Sequence, residues 1–533
     1  MVESSKINND DSGDDVSFRF VDLASVALCV VLTLALRKVV FSVGALPEAA
    51  FTEAVLVPAV FRECLRSPAL LGLISLGVVL RRRVLVTWSN AFLLPEIRWF
   101  AVGLSTALAA TFATQDANLY FDQHYNVDRF LLLGLVLLVS LRPVFILPFV
   151  IHAIAFGGQV AVPMSDYGWD EHLLGIYRLP IHLLLAIFAG ALLHGQGEQG
   201  RRRAVRTTVI LCFVIVAAGY WVPGITKFRM EWASVPNVHY SFFGAWCHGW
   251  QQDISAAEVL SLTHRIAPYA VSLQWATVVF ECAALFVLWR RVSMPLMIVW
   301  CIFHLGALAL YGYAFWLWIC IDLSLFVFLL RRRQVFDSFR WQHLLLALLL
   351  VATSGRWLSP NRLAWFNSRL ANTYQFVAVT SEDRRVELPS KFFAPYDYQF
   401  TMNWFEYLST KSQVTGPYAT TMDSRVATLT GEQILEKQEM RGRKERDMER
   451  TAELTKFLST FAGNWNRRRT SAGMFGSFQP PALLNTTHAP ARILSTERIA
   501  AIEVVRIRSV MLSDRIDVNP TETCLRVSVP QND

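Results

Sequence analysis

Apolar runs recur along the chain from residue 21 to residue 350, separated by short arginine clusters. A run long enough to cross a bilayer as a helix satisfies its own backbone polar groups there. Several such runs in series commit a chain to a polytopic helical membrane architecture rather than a soluble one. The bulk numbers agree: 53% of residues are hydrophobic and only 17% are charged. The formal net charge of +8 is no sign of nucleic-acid binding, because much of the excess sits in the clusters between runs.

Those clusters also orient the spans. Lys and Arg concentrate on the cytoplasmic side, so 81–83, 201–203, 290–291 and 331–333 belong there together. Residues 130–156 are apolar except for Arg142-Pro143 and His152. Read as one span, they put 201–203 outside. Read as two shorter spans meeting at Arg142-Pro143, they return every cluster to the inside, with the proline breaking the helix. The other spans fall near 21–45, 65–80, 100–113, 173–193, 207–222, 269–288, 295–310, 311–330 and 344–351. The expectation is an all-α polytopic membrane bundle of about 10–11 transmembrane helices with a small mixed α+β polar C-terminal tail. It puts 165–172, the loop carrying Lys227, and 236–268 on one non-cytoplasmic side. Arg37-Lys38 fits poorly, near an outer end where only snorkelling accounts for it.

Three regions follow. Residues 1–17 are acidic and polar and are expected to be disordered. Residues 18–355 form the transmembrane domain, and 356–533 a polar C-terminal region, partly disordered. Within it, 375–388 alternates as a small hairpin and 431–464 reads as one charged helix. Residues 467–490 read as a linker, and 500–510 and 524–529 as strands. No cleavable signal peptide is evident. The eight cysteines show no metal spacing. Cys29, Cys212, Cys282, Cys301 and Cys320 lie in apolar runs as small core residues. Pairing among Cys64, Cys247 and Cys524 is left open.

Ionisable residues in or beside apolar runs mark where chemistry is to be sought. Lys227 follows the run 207–218, flanked by Tyr220, Trp221, Phe228 and Trp232. A lysine at that depth either snorkels as an interfacial anchor or, dehydrated, serves as a base. Trp169-Asp170-Glu171-His172 opens a span on the outer side. An imidazole there is either an inert edge residue or a stabiliser of a developing anion. Glu281, His304 and Asp322 lie inside apolar runs, where they either pair to hold helices together or line a pathway. His239, His248 and His264 share a loop with Asp253 and Glu258 at no common zinc spacing, and no metal is expected.

Three of these stretches together resemble the vitamin K-dependent gamma-glutamyl carboxylase and the wider family with the same horizontally transferred transmembrane (HTTM) domain. The family's Trp-Asn-Asn-His is similar to Trp169-Asp170-Glu171-His172. Its Gly-Val-Lys-Lys, with a tryptophan five residues on, is similar to Gly224-Ile225-Thr226-Lys227 with Trp232. Its Phe-His and following aromatic, glycine-containing stretch resemble Phe303-His304 and Tyr311-Gly312-Tyr313-Ala314-Phe315. The resemblance covers about residues 21–330.

The resemblance implies a membrane enzyme, lyase and quinone epoxidase in type, that uses reduced vitamin K or another quinol with oxygen and carbon dioxide. Lys227 takes the role of the base that deprotonates the quinol, and His172 that of the histidine assisting carboxylation. Trp169, Trp232, Glu281 and His304 support the cofactor. The implied partners are membrane lipid, a lipid-soluble quinone and a protein or peptide substrate. The implied location is the endoplasmic reticulum in a eukaryote or the inner membrane in a bacterium. Thr226 replaces the first lysine of the family pair, Glu171 replaces an asparagine, and no propeptide-binding region is found in the shorter tail. Two other readings stand beside this one: a quinone-linked oxidoreductase without carboxylation, and a non-catalytic transporter or scaffold built on the same bundle.

Overall fold

The structure is a computed structural model that describes residues 20–79, 94–114, 118–162, 169–194, 197–330, 339–468 and 497–530. For 76–79, 161, 169–176 and 328–330 it describes the backbone alone. Among the described residues, five helices are long and apolar enough to cross a membrane. They are Phe20–Gly44, Pro143–Val160, Gly197–Arg229, Ala256–Phe286 and Arg290–Tyr311. Shorter apolar helices cover Tyr177–Leu192 and Trp316–Val327. Large apolar side chains such as Trp275, Val279, Ile302 and Leu305 face outward, a surface suited to a hydrocarbon solvent rather than water.

Gly197–Arg229 is the hub. Its most apolar 18-residue window is 83% buried, against 28% for Ala256–Phe286 and for Arg290–Tyr311. Val209 to Ala218 are all buried, as expected of a helix that is hydrophobic all round and sits inside a bundle. It packs against Phe20–Gly44, Trp169–Leu192, Ala270–Cys282 and Trp341–Trp357. Its N-terminal end carries the 201–203 cluster. There Arg203 and Arg206 approach Asp22 Oδ1 at 3.4 and 3.9 Å. The clusters 81–83 and 331–333 lie outside the described residues.

The break at Arg142-Pro143 is present. Asn126–Leu141 ends at Arg142, which is extended (φ −148°, ψ 136°). A short 3-10 turn, Pro143–Phe145, then leads into Ile146–Ala161. The span expected at 65–80 is the helix Pro68–Val79, and the break at Ser67-Pro68 separates it from a preceding helix, Val57–Arg66. A residue before proline avoids the helical region, and Ser67 Oγ caps the second helix by accepting from the Leu70 N–H at 3.2 Å. The expected loop 236–268 carries two helices, Ser241–Cys247 and Ala256–Ile266. Ser255 and Glu258 form a capping box that starts the second.

The C-terminal region contains a four-stranded antiparallel sheet in the order Arg385–Leu388, Leu370–Thr380, Ile499–Met511, Ile516–Ser528. The first two strands form the hairpin read from 375–388. The single helix expected over 431–464 is two, Gly431–Met440 and Met448–Arg468. Gly442, at φ +72°, turns the chain between them. Most of the expected linker, 469–490, lies outside the described residues.

This region docks on the helices rather than hanging free. Tyr396 OH donates to Gln159 O at 3.1 Å, and Asn464 Nδ2 donates to Tyr120 O at 3.2 Å. Both bonds join residues more than two hundred positions apart, so they hold the tail to the bundle. All eight cysteines are free, Cys64, Cys247 and Cys524 included.

Candidate active site

Tyr220, Gly224 and Lys227 recur at i, i+4 and i+7 on the hub helix, so they share one face near its C-terminal end. That face meets the helices Ala270–Cys282 and Arg290–Tyr311. Lys227 Nζ donates to both carboxylate oxygens of Glu281, at 2.6 and 2.8 Å. Lys227 and Glu281 are 7% and 5% exposed, which makes this a buried, bidentate ion pair. The ammonium also lies 5.7 Å from the ring centroid of Trp232, whose face favours a cation. Trp232 is fixed by its own indole N–H, which donates to Trp365 O at 2.7 Å.

Two turns earlier on the same face, Tyr220 organises a second network. Its hydroxyl donates to Asp322 Oδ2 at 2.6 Å and sits 2.7 Å from His304 Nε2. With the hydroxyl proton directed at Asp322, Nε2 of His304 is the donor to the tyrosine oxygen. The Tyr220 ring stacks on Trp300 with centroids 3.7 Å apart. His304 Nδ1 and Asp322 Oδ1 are buried with no hydrogen-bond partner.

Both networks open on one cavity of about 580 Å³, within the range of small-molecule sites. Lys227, Glu281, Tyr220 and His304 line it. Trp232, Tyr311 and Trp318 give it aromatic walls, and Arg178 and His182 add a further polar edge. The C-terminal region closes one side with Tyr398, Met402, Trp404 and Tyr418. The site is therefore completed by residues from both parts of the chain.

Four of the six site residues expected from sequence, Lys227, Glu281, His304 and Trp232, meet at this cavity. Trp169 and His172 lie on the helix Trp169–Leu192, with their side chains outside the described residues. That helix packs antiparallel to the hub, and Gly190 abuts Thr208.

The loop histidines lie elsewhere. His248 Nδ1 donates to Gly244 O at 2.8 Å, and its Nε2 accepts from the Tyr418 N–H at 3.1 Å. Burial pushes it down to about 4, so it is neutral and joins the bundle to the tail. His239 is likewise pushed down to about 4, by burial first and by Arg369 and His264 after it. Among the described residues no group of three or more His, Cys, Asp or Glu is placed to hold a metal ion.

Compared with protein-family models, curated proteins and solved structures, the chain matches none.

Tyr220, Arg178 and His182 are site residues that sequence reasoning did not assign. Tyr220 was legible through its helical spacing from Lys227. Arg178 and His182 carried the same signal as His304, an ionisable side chain in an apolar run. The tail residues carried none, because their contribution depends on docking.

Chemically, the arrangement holds one proton between an amine and a carboxylate in an apolar wall. A second proton sits in the chain Asp322–Tyr220–His304. Aromatic side chains line the cavity beside both, and a surround of low polarity strengthens such interactions.

Proposed function

We propose that the chain is a polytopic membrane enzyme whose Lys227–Glu281 pair does acid–base work on a lipid-soluble ring compound held in the cavity. The bundle of about 10–11 spans read from sequence belongs to this proposal. The observation that carries it is the position of the ion pair. A buried pair contributes little to stability once desolvation is counted. One that lines a cavity instead of being packed between helices marks a functional site.

A reduced quinone suits the residues present. The walls are aromatic, the volume is adequate, and His304 keeps a buried ring nitrogen without a partner. Lys227 and Glu281 would hold one hydroxyl of the ring, and His304 with Tyr220 would orient the ring. A bound quinol supplies an acidic hydroxyl and, with oxygen, the stronger base that the carboxylase-type reaction needs. An ammonium accepts no proton. The base is therefore Glu281, or Lys227 once its Nζ proton has passed to a Glu281 oxygen. Either way the proton taken up remains within the pair. The aromatic cavity excludes water from the reacting atoms, and the HTTM-like residue pattern favours carboxylation as the step served.

The test is oxygen-dependent epoxidation of an added reduced vitamin K by the purified full chain in nanodiscs, with labelled bicarbonate present. Turnover that is abolished in both Lys227→Ala and Lys227→Arg supports the reading, since a guanidinium does not give up its proton. Full activity in both Lys227→Arg and Glu281→Gln overturns it, whereas full activity in Lys227→Arg alone assigns the base to Glu281. Epoxidation without label incorporation would favour the quinone-linked oxidoreductase. No turnover and no quinol binding would return the chain to the scaffold class.

A further inference from the structure

Two walls of the cavity, Ala270–Cys282 and Arg290–Tyr311, belong to the least buried of the five long apolar helices. Leu273, Thr277 and Glu281 line the cavity at i, i+4 and i+8, so they form a row about 12 Å long on one face of the first helix. The row starts at the buried ion pair and ends at Leu273, which is 43% exposed. Phe303, Ala307 and Leu310 form the corresponding row on the second helix. Trp300 Nε1 donates to Phe280 O at 3.2 Å and ties the two helices together beside Glu281. Farther along, Gly306 both lines the cavity and is exposed. Nothing lies within 4 Å of where its β-carbon would stand. Leu273 and Gly306 therefore belong to the cavity wall and to the outer surface at once. On either side of them, Trp275 and Leu305 face outward.

We propose that the cavity opens sideways into the bilayer through a slot between these two helices, and that the slot holds the hydrocarbon chain of the ligand. The inference rests on the reading of the cavity as a site for a lipid-soluble ring compound, and adds where that compound enters and how its chain lies. Thr277 Oγ1 donates to Leu273 O at 2.9 Å, so its hydroxyl is satisfied within its own helix and the slot suits hydrocarbon. The polar groups stand at the inner end: Glu281 with Lys227, and His304, whose buried Nδ1 has no hydrogen-bond partner. A ring that reaches them leaves its chain directed outward between Leu273 and Gly306. Gly306 sets the width of the slot, and with it the preference for a ligand that carries a chain.

The probes are a dimethylnaphthoquinone and its counterpart in which a phytyl chain replaces one methyl. Each displaces the tritiated dimethyl compound from the full chain in nanodiscs, with doses expressed as mole fraction of the lipid. The two should bind the unaltered protein within about threefold of one another, because the chain exchanges one apolar surround for another. In Gly306→Phe the phytyl compound should lose at least about tenfold relative to the dimethyl compound, the scale of one overfilled apolar contact. Leu305→Phe, on the outward face, should leave the ratio as it was. Saturable binding of the dimethyl compound shows that each variant is folded. An unaltered ratio in Gly306→Phe would overturn the slot and leave the ligand site standing. So would a selective loss in Met422→Phe instead, which would place the chain at the mouth beside the C-terminal region. Absence of saturable binding by either compound to the unaltered protein would overturn the ligand site itself, and the slot with it.

Discussion

Gly224 stands directly against Glu281: a β-carbon on Gly224 would lie 2.7 Å from Cβ of Glu281 and 3.1 Å from the Cys282 nitrogen. The missing side chain lets the hub helix and Ala270–Cys282 approach closely. Lys227, three residues on, then reaches both carboxylate oxygens. The glycine and the lysine therefore act as one device, the first setting the helix separation that the second needs.

Gly224→Ala should push these helices apart. Overpacking of this kind costs about 1–3 kcal/mol, and the displaced backbone takes Glu281 away from Lys227. Quinol turnover should fall at least tenfold with both charged residues still present. Thermal unfolding in detergent measures the first effect and the epoxidation assay the second. Unchanged turnover would show that the close approach is incidental to the site.

Breaking the ion pair and replacing it should have opposite effects on stability. Glu281→Gln or Lys227→Met alone leaves a buried charge unmatched, and such losses run at about 3–5 kcal/mol. The double variant Lys227→Met, Glu281→Leu should regain most of that, because two apolar side chains need no compensation in an apolar wall. It should nonetheless be inactive. Denaturant titrations of all three variants, with turnover beside them, separate packing from chemistry.

Acidification should loosen the junction between bundle and tail. His248 is held down to about 4 against an ordinary value of 6.5, so between those values the unfolded chain binds more protons than the folded one. Stability is then fully present above pH 6.5 and declines as pH falls toward 4. Between pH 7 and pH 5 the loss is on the order of 2 kcal/mol from this residue. His248→Asn keeps an acceptor for the Tyr418 N–H and cannot gain a proton there. Melting curves at the two pH values should show a smaller decrease in that variant. An equal decrease would remove His248 as the cause.

Single cysteines at Arg201 and Arg290 should be labelled from one side of sealed vesicles, and a cysteine at exposed Met422 from the other. The first two positions lie in arginine clusters that the charge rule places together. Met422 belongs to the tail wall of the cavity, next to the end of the hub helix that carries Lys227. Labelling of Arg201 and Met422 from the same side would contradict the topology read from charge.

Local chemistry determined a good deal of this protein from sequence alone. Apolar runs specify helices because hydrocarbon leaves the backbone no other partner. Arg142-Pro143 divides 130–156 because proline cannot continue the helix. Helical periodicity puts Tyr220, Gly224 and Lys227 on one face. The strands at 500–510 and 524–529 follow from their β-branched residues, and 375–388 from its alternation.

What only the tertiary structure decided is which residue each of these groups meets. Glu281, rather than another acid, takes up Lys227 because the gap left by Gly224 lies opposite it. Arg37 turns inward because the segment after Trp341–Trp357 passes in front of it. The tail completes the cavity because Tyr396 and Asn464 tie it to the bundle. Helix formation depends on neighbours within a few positions, whereas partner choice depends on how separate helices pack. Periodicity carries no record of that packing.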